Sequence, residues 1–354
     1  MGIIQNLWDG KRVIVTGHTG FKGSWLTLIL HKLGAQICGI SLPAIQPRSL
    51  YVDASIFELL TQEFIQDIRD LEKLAVIINQ IKPDYIFHLA GQAIVSESVL
   101  DPIGTISTNV IGTRNLLFEA LKHANLLGIT VATTDKVYEN EENGKSFKEN
   151  DKLGGAEPYS ASKAATELLT RALATSNNPH QIPVTTVRAG NVIGGGDWAL
   201  DRLVPDIVRA VEFKQILEIR NKNSTRPFQH VLDCLCGYLL VAQAHISPTN
   251  KKTYDSYNFG SDKCMAVSEI INGFSEILGN ELILSEKKSK VKEHIQLRLN
   301  NNKAKSELNW SPSYSSEESI IVVAHWYRKF LQGEDARDLM LMALSECKGF
   351  KDEL

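Results

Sequence analysis

The sequence has no long hydrophobic run: nowhere in its 354 residues does an apolar stretch approach the roughly 18 residues that a membrane-crossing helix needs. A membrane partner is therefore not expected. Cysteine is scarce and poorly placed for structural use. The five, Cys38, Cys234, Cys236, Cys264 and Cys347, are odd in number and scattered, with no Cys-x-x-Cys pair and no histidine spacing that suits zinc. That excludes a disulfide framework and predicts reduced thiols without a metal site. Excess charge of either sign is missing too. With 38 basic against 41 acidic residues the formal charge is -3, so no global field draws in nucleic acid, and any anion must be held by local geometry. The opening MGIIQNLWDGKR lacks the apolar core of a secretory signal, which sets the expectation of a cytoplasmic protein. The closing Lys351-Asp352-Glu353-Leu354 would act as a retention address only in a chain that enters the endoplasmic reticulum.

What is present is an ordinary soluble composition, 43% hydrophobic and 22% charged, and a length that allows two or three domains at roughly 150 residues each. Apolar runs at 12–16, 36–41, 85–89, 130–134 and 184–189 read as strands, and 24–33, 71–81, 105–124 and 159–174 carry helical periodicity. Nearly continuous apolar strands separated by helices predict a Rossmann-type α/β fold, a doubly wound parallel sheet covered on both faces. The alternation loosens at Gly194-Gly195-Gly196, where a smaller mixed lobe is expected to begin. The basic run Lys287 to Lys292 reads as a solvated face.

Gly17-His18-Thr19-Gly20-Phe21-Lys22-Gly23 follows the first strand and opens a helix, the context of a dinucleotide fingerprint. Small residues there let the backbone approach a pyrophosphate, whose charge the helix N-terminal amides can hold. The acidic residue usual about 20 positions further on, which binds the ribose, is missing. Residues 41–50 hold no Asp or Glu and one cation, Arg48, so both NAD and NADP stay open, an arginine there being able to meet a 2'-phosphate. Asp67 can hydrogen-bond an adenine or cap the helix that follows it.

Tyr159-Ser160-Ala161-Ser162-Lys163 places a phenol and an ammonium four residues apart on one helix face. A nearby cation favours phenolate, which makes a base able to take a hydroxyl proton during hydride transfer.

The ordered set Gly17-x-x-Gly20-x-x-Gly23, His88-Leu89-Ala90-Gly91, Asn109-Val-x-Gly112-Thr113, Thr134-Asp135 and Tyr159-x-x-x-Lys163 resembles the extended short-chain dehydrogenase/reductase family over nearly the whole chain. Longer strings, 19–25, 134–140, 190–198 and Arg226-Pro-x-Gln229-His-Val231, resemble the CDP-glucose 4,6-dehydratases within it. The resemblance implies an NAD-dependent dehydration of a nucleotide sugar: oxidation at C4, loss of water across C5 and C6, and hydride return to C6. It implies catalytic roles for Thr134, Asp135, Lys136, Tyr159 and Lys163, with Asp135 the acid at C6 and Lys136 a candidate to assist deprotonation at C5. It implies cofactor contacts at Gly17, Thr19, Gly20, Phe21, Lys22, Gly23, Asp67, Ile68, Leu89, Ala90, Gly91, Asn109, Tyr159 and Lys163. Substrate contacts are expected at Asn191, Arg202, Arg220, Arg226 and Asn258, with Arg226 the first choice for the diphosphate and Arg188 a further candidate. The expected dinucleotide unit takes 1–190 with 230–260 and 317–335, the interleaved nucleotide-sugar lobe takes 191–229 and 261–316, and 336–354 is expected to be a tail. A homodimer or homotetramer is also implied.

Two strings depart from the dehydratase pattern. Val95-Ser96-Glu97-Ser98-Val99 lacks an arginine and an aromatic usual beside the sugar, and Phe228 stands where tryptophan is usual. The competing readings are a nucleotide-sugar 4-epimerase or decarboxylase, which needs no elimination acid, and a dinucleotide-sensing protein that has lost catalysis. Asp135-Lys136 and the intact Tyr159-Lys163 pair speak against both.

Overall fold

The computed structural model describes residues 3–44, 48–247, 252–279, 282–286 and 296–350. The basic run at 287–292 and the last four residues lie outside the described residues. Seven parallel strands form the central sheet: β1 (Arg12–Thr16), β2 (Gln36–Ser41), β3 (Gln62–Ile65), β4 (Tyr85–His88), β5 (Ile129–Ala132), β6 (Val184–Ala189) and β7 (Tyr254–Phe259). Their order is β7-β6-β5-β4-β1-β2-β3, so the winding reverses between β1 and β4. At such a reversal the loops leaving the two strands diverge and open a crevice.

Both faces are covered, which explains why the strands lack polar alternation. Helices Phe21–Lys32, Val231–Ile246 and Ser316–Leu331 bury one face, with Trp25, Leu239 and Tyr327 in its core. Helices Leu71–Ile81 and Thr113–Ala120 bury the other, through residues such as Ile78 and Leu117 against Ile14 and Val131. No helix among the described residues is long and apolar enough to cross a membrane.

Three boundaries differ from the periodicity reading, and two of them shape the site. The helix expected over 105–124 is a composite in which Pro102–Ile106 leads through a wide π turn, Ser107–Gly112, into Thr113–Ala120. The strand expected to reach residue 134 stops at Ala132, and Thr134 instead caps the short turn Asp135–Val137. Beyond β6 the chain builds small two-stranded pieces, pairing Val192–Ile193 with Gln229–His230 and Thr225–Arg226 with Met265–Ala266. It returns to the main sheet at β7. The described part of the expected C-terminal tail is a helix, Ala336–Glu346, with Leu339, Met340, Leu344 and Phe350 buried in the main core. Apolar pairs four apart on one face drive that packing.

Candidate active site

The glycine turn sits in the crevice between β1 and β4. Gly17 has φ +75°, and a Cβ there would lie 2.8 Å from the Ala90 amide nitrogen, so only glycine lets the two loops meet. A Cβ at Gly23 would overlap the Gly17 carbonyl. Gly20 is the N-cap of helix Phe21–Lys32 and carries no capping side chain, which leaves the first-turn amides directed at the crevice for an anion. Thr19 ties the turn to the end of β2 through Ser41 Oγ (2.7 Å) and the Leu42 carbonyl. The Leu89 and Ala90 amides both donate to Thr16 Oγ1, which fixes the facing loop. Phe21 and Lys22 line the adjoining cavity.

Several expected cofactor contacts hold the crevice from behind. Asn109 is buried in the π turn; its Oδ1 accepts from the Gln92 amide (2.8 Å) and its Nδ2 donates to Ser162 Oγ (2.9 Å). It is a strut between the loop after β4 and the helix Pro158–Ser176. Ile68 is buried against Gly112. Asp67 is not the helix cap, which is Asp70; the Asp67 carboxylate forms a two-point ion pair with Arg69, which holds it below the usual carboxylate range. Arg48 is committed elsewhere, paired with Glu212 at 2.7 Å and stacked 4.4 Å from the Trp198 ring. That removes the sequence motive for a 2'-phosphate contact at Arg48.

Helix Pro158–Ser176 presents the phenol. Glu157 caps it, accepting from the Tyr159 (2.7 Å) and Ser160 (3.0 Å) amides, and Pro158 follows at the first helical position. Tyr159, Thr134, Asp135 and Lys136 all line one cavity of about 320 Å³. Burial pushes the Tyr159 hydroxyl up to about 12, opposed by a hydrogen bond from Thr134 and by the charge of Arg202. The cation beside the phenol is therefore Arg202, from the second lobe, where the spacing had suggested Lys163. Lys163 Nζ instead donates to the Ala132 carbonyl at 3.2 Å, and burial followed by the charge of Lys22 lowers it to about 8.

Asp135 is 3% exposed and accepts from Thr134 Oγ1 at 3.1 Å. Burial raises its pKa, opposed by Lys136, the Thr134 hydrogen bond and Arg226. A carboxyl raised in this way retains its proton closer to neutrality and can act as an acid. The early end of β5 places it there, since a strand continued through residue 134 would have sent alternate side chains to opposite faces.

The same cavity is lined by Asn191, Arg202, Arg220 and Arg226. Arg226 lies close enough to Asp135 to depress that carboxyl. Two expected substrate residues are not in the cavity. Asn258 is fully buried on β7, accepting from the Tyr138 hydroxyl at 2.7 Å and donating to the Phe147 carbonyl at 2.9 Å. Arg188 is buried in a two-point ion pair with Glu167. Arg188 is indistinguishable in sequence from a cavity residue because Ala189 and Gly190, which follow it, line the cavity.

Residues that the sequence reading did not single out complete the wall. Asp197 pairs with Arg202 at 3.0 Å, and Asp201 accepts from Ser96 Oγ at 2.6 Å and faces Arg220 at 3.6 Å. Ser96 belongs to the divergent string at 95–99, so the change there exchanges a cationic wall for a hydroxyl bonded across the cavity mouth. Phe228 lines the same cavity.

Comparison with known proteins agrees with this geometry. Residues 14–321 match the family model described as GDP-mannose 4,6 dehydratase. Over 342 residues the chain is 41% identical to the CDP-glucose 4,6-dehydratase of Salmonella typhimurium, covering 94% of this chain and 95% of that protein. Among solved structures, the UDP-glucose 4-epimerase of Thermotoga maritima superposes with a TM-score of 0.78 at 24% identity, over 90% of this chain and 99% of that one. The dTDP-glucose 4,6-dehydratase of Bacillus anthracis, solved with NAD, gives 0.76 at 22% identity, over 94% and 100%. These two share the fold. With a family model spanning most of the chain and a relative at 41% identity along nearly its full length, this chain belongs to the GDP-mannose 4,6 dehydratase family of extended short-chain dehydrogenases/reductases.

Proposed function

We propose that the chain catalyses the NAD-dependent 4,6-dehydration of CDP-glucose to the CDP-4-keto-6-deoxy sugar. The observation that carries the reading is a buried acid, Asp135, in the same cavity as the Tyr159 phenol. An epimerase or decarboxylase uses the phenol but has no leaving hydroxyl to protonate. The relative at 41% identity supports CDP-glucose as the substrate.

The glycine turn fits a dinucleotide, since added Cβ atoms at Gly17 and Gly23 would fill its cradle and the helix end at Gly20 carries no side-chain cap. Gly91 adds to the fit: a Cβ there would press on Asn109 Oδ1 and Lys163 Nζ. When bound, NAD accepts the C4 hydride and returns it to C6. Tyr159 takes the proton of the C4 hydroxyl, with Thr134 beside it to bond the same oxygen. The resulting ketone acidifies the C5 hydrogen, and Lys136, which lines the same cavity, is the group assigned to assist its removal. Asp135 protonates the C6 hydroxyl, which leaves as water. The C5 proton is restored at the end, so the sum is loss of one water with no net redox change.

Incubation with CDP-glucose and NAD is expected to give a product absorbing in alkali as a 4-keto-6-deoxy sugar, with little from the dTDP or UDP sugars. No turnover of any nucleotide sugar would sink the enzyme reading.

For the diphosphate, Arg220 is the better test than Arg226, because Arg226 also touches the charge balance of Asp135. Arg220→Ala is expected to raise KM about tenfold or more, the worth of one charge-assisted hydrogen bond, with kcat nearly unchanged. An equal fall in kcat with constant KM would remove Arg220 from substrate binding.

The chain is also proposed to dimerise through the helices beside its catalytic helix. Leu100, Ile103 and Leu168 are 78%, 80% and 59% exposed, on Val95–Leu100, Pro102–Ile106 and Pro158–Ser176. A patch of that kind is usually covered by a partner. Ile103→Lys is expected to convert a dimer to a monomer in light scattering; a monomeric parent would overturn the assignment.

A further inference from the structure

Glu167 is a fully buried carboxylate that no step above uses. It lies one turn beyond Lys163 on helix Pro158–Ser176, and the structure surrounds it with donors. Its Oε1 accepts from Thr133 Oγ1 (2.5 Å) and Arg188 Nε (3.0 Å). Its Oε2 accepts from Thr186 Oγ1 (2.6 Å), Arg188 Nη2 (2.9 Å) and the Tyr254 hydroxyl (3.2 Å). One carboxylate therefore joins the catalytic helix to β6, to β7 and to the residue that precedes Thr134-Asp135. A buried ion pair is a weak source of stability, since desolvation offsets most of its attraction, so stability alone is a poor reason for Glu167 and Arg188 to be there.

Lys163 and Glu167 grip consecutive residues at the end of β5. Lys163 Nζ donates to the Ala132 carbonyl at 3.2 Å, while Glu167 takes the Thr133 hydroxyl. Thr134 then starts the turn that carries Asp135 into the cavity. We infer that Glu167 is a positioning residue for the reaction: bonded to Thr133, it locks the Thr134-Asp135 turn against the catalytic helix and sets a carboxylate one turn from Lys163 on the same helix face.

The charge balance around Lys163 makes the second part specific. Lys22, from the first helix, faces it and disfavours its proton, and His88 on β4 is buried, lowered to about 3 and neutral. Tyr159 lies one turn before it and is protonated in this state. Glu167 is the group that opposes burial and Lys22. Arg188 turns its remaining nitrogen away, donating from Nη1 to the Tyr138 hydroxyl and the Glu149 carbonyl, both at 2.8 Å.

The inference rests on the reading of Tyr159 and Lys163 as the oxidation pair, and pH profiles of the oxidation half, followed as reduced nicotinamide in a single turnover, separate the two. Wild-type oxidation should slow as pH rises past about 8, as Lys163 deprotonates. Glu167→Gln keeps the volume and removes the charge, so Lys163 loses its proton earlier; the alkaline limb is expected to move down by about one pH unit, with the rate at pH 7.5 about threefold lower and KM within about twofold. Glu167→Asp, which retains the charge, should restore the position of the limb while leaving kcat reduced. A limb present in the wild type and unmoved in Glu167→Gln would overturn the inference and leave the oxidation pair standing. A wild type without the limb would overturn both. If Glu167→Gln does not fold, Thr133→Val, which removes the bond from Glu167 to the turn and leaves the carboxylate, is measured instead; a reduced kcat with the limb in place supports the inference, and an unchanged kcat sinks it.

Discussion

Tyr159→Phe is expected to lower kcat by about 10²- to 10⁴-fold, the range that positioned acid–base groups contribute, while KM for the nucleotide sugar changes little. The phenol is 8% exposed and sits on a capped helix turn, so removing one oxygen leaves the ring packing and the Glu157 cap intact. What is lost is the only step by which the C4 hydroxyl proton leaves. Burial holds the hydroxyl up at about 12 even with the Thr134 hydrogen bond and the Arg202 charge opposing it, so Arg202 is part of what keeps the phenol from rising further. Arg202→Met should therefore move the rise of kcat with pH to higher pH as well as weaken binding. A Tyr159→Phe variant that keeps more than about a tenth of the activity would refute the assignment, since a general base cannot be dispensed with so cheaply.

Asp135→Asn is expected to separate the two halves of the reaction. Oxidation at C4 does not use the carboxyl, so a single-turnover experiment should still show reduced nicotinamide appearing. Water loss should slow by about 10²- to 10³-fold, so that the reduced cofactor accumulates. The sign of the pH dependence follows from the raised pKa of Asp135. The acid is competent while protonated, so elimination should fall as pH rises through that pKa, whereas the oxidation half should fall as pH drops through the titration of the base and, at the alkaline end, as Lys163 loses its proton. Equal slowing of both halves in Asp135→Asn would place the carboxyl in positioning, not in proton donation.

Much of this site was legible in the chain itself, for identifiable reasons. The turn from Gly17 to Gly23 is a contiguous string whose conformation is local, so glycine at residues 17 and 23 announces it. Tyr159 and Lys163 are four apart on one helix, a spacing that survives any tertiary arrangement. The strands lie in a sheet buried on both faces, and their lack of alternation said so. Less legible were the elements that break a regular period. The π turn at 107–112 is invisible to helical periodicity, because inserting one residue shifts the register without removing the helix. The packed helix Ala336–Glu346 was missed because its neighbours in sequence supply no linker or cap signal beyond Asp335.

The sequence by itself determined the doubly wound sheet, the glycine turn at the first strand-to-helix junction and the spacing of Tyr159 and Lys163 on one helix. Only the tertiary structure decided which charges face the cavity. Arg188, Arg202, Arg220 and Arg226 look alike as residues, yet one is locked to Glu167 inside the fold, one stands beside the phenol, one faces Asp201 and one flanks Asp135. Asn109 and Asn258 likewise became struts. The physical reason is range: a turn or a helix face is set by neighbours a few residues away, whereas the partner of a buried charge is chosen by packing across the chain, 21 residues for Arg188 with Glu167 and 164 for Arg48 with Glu212.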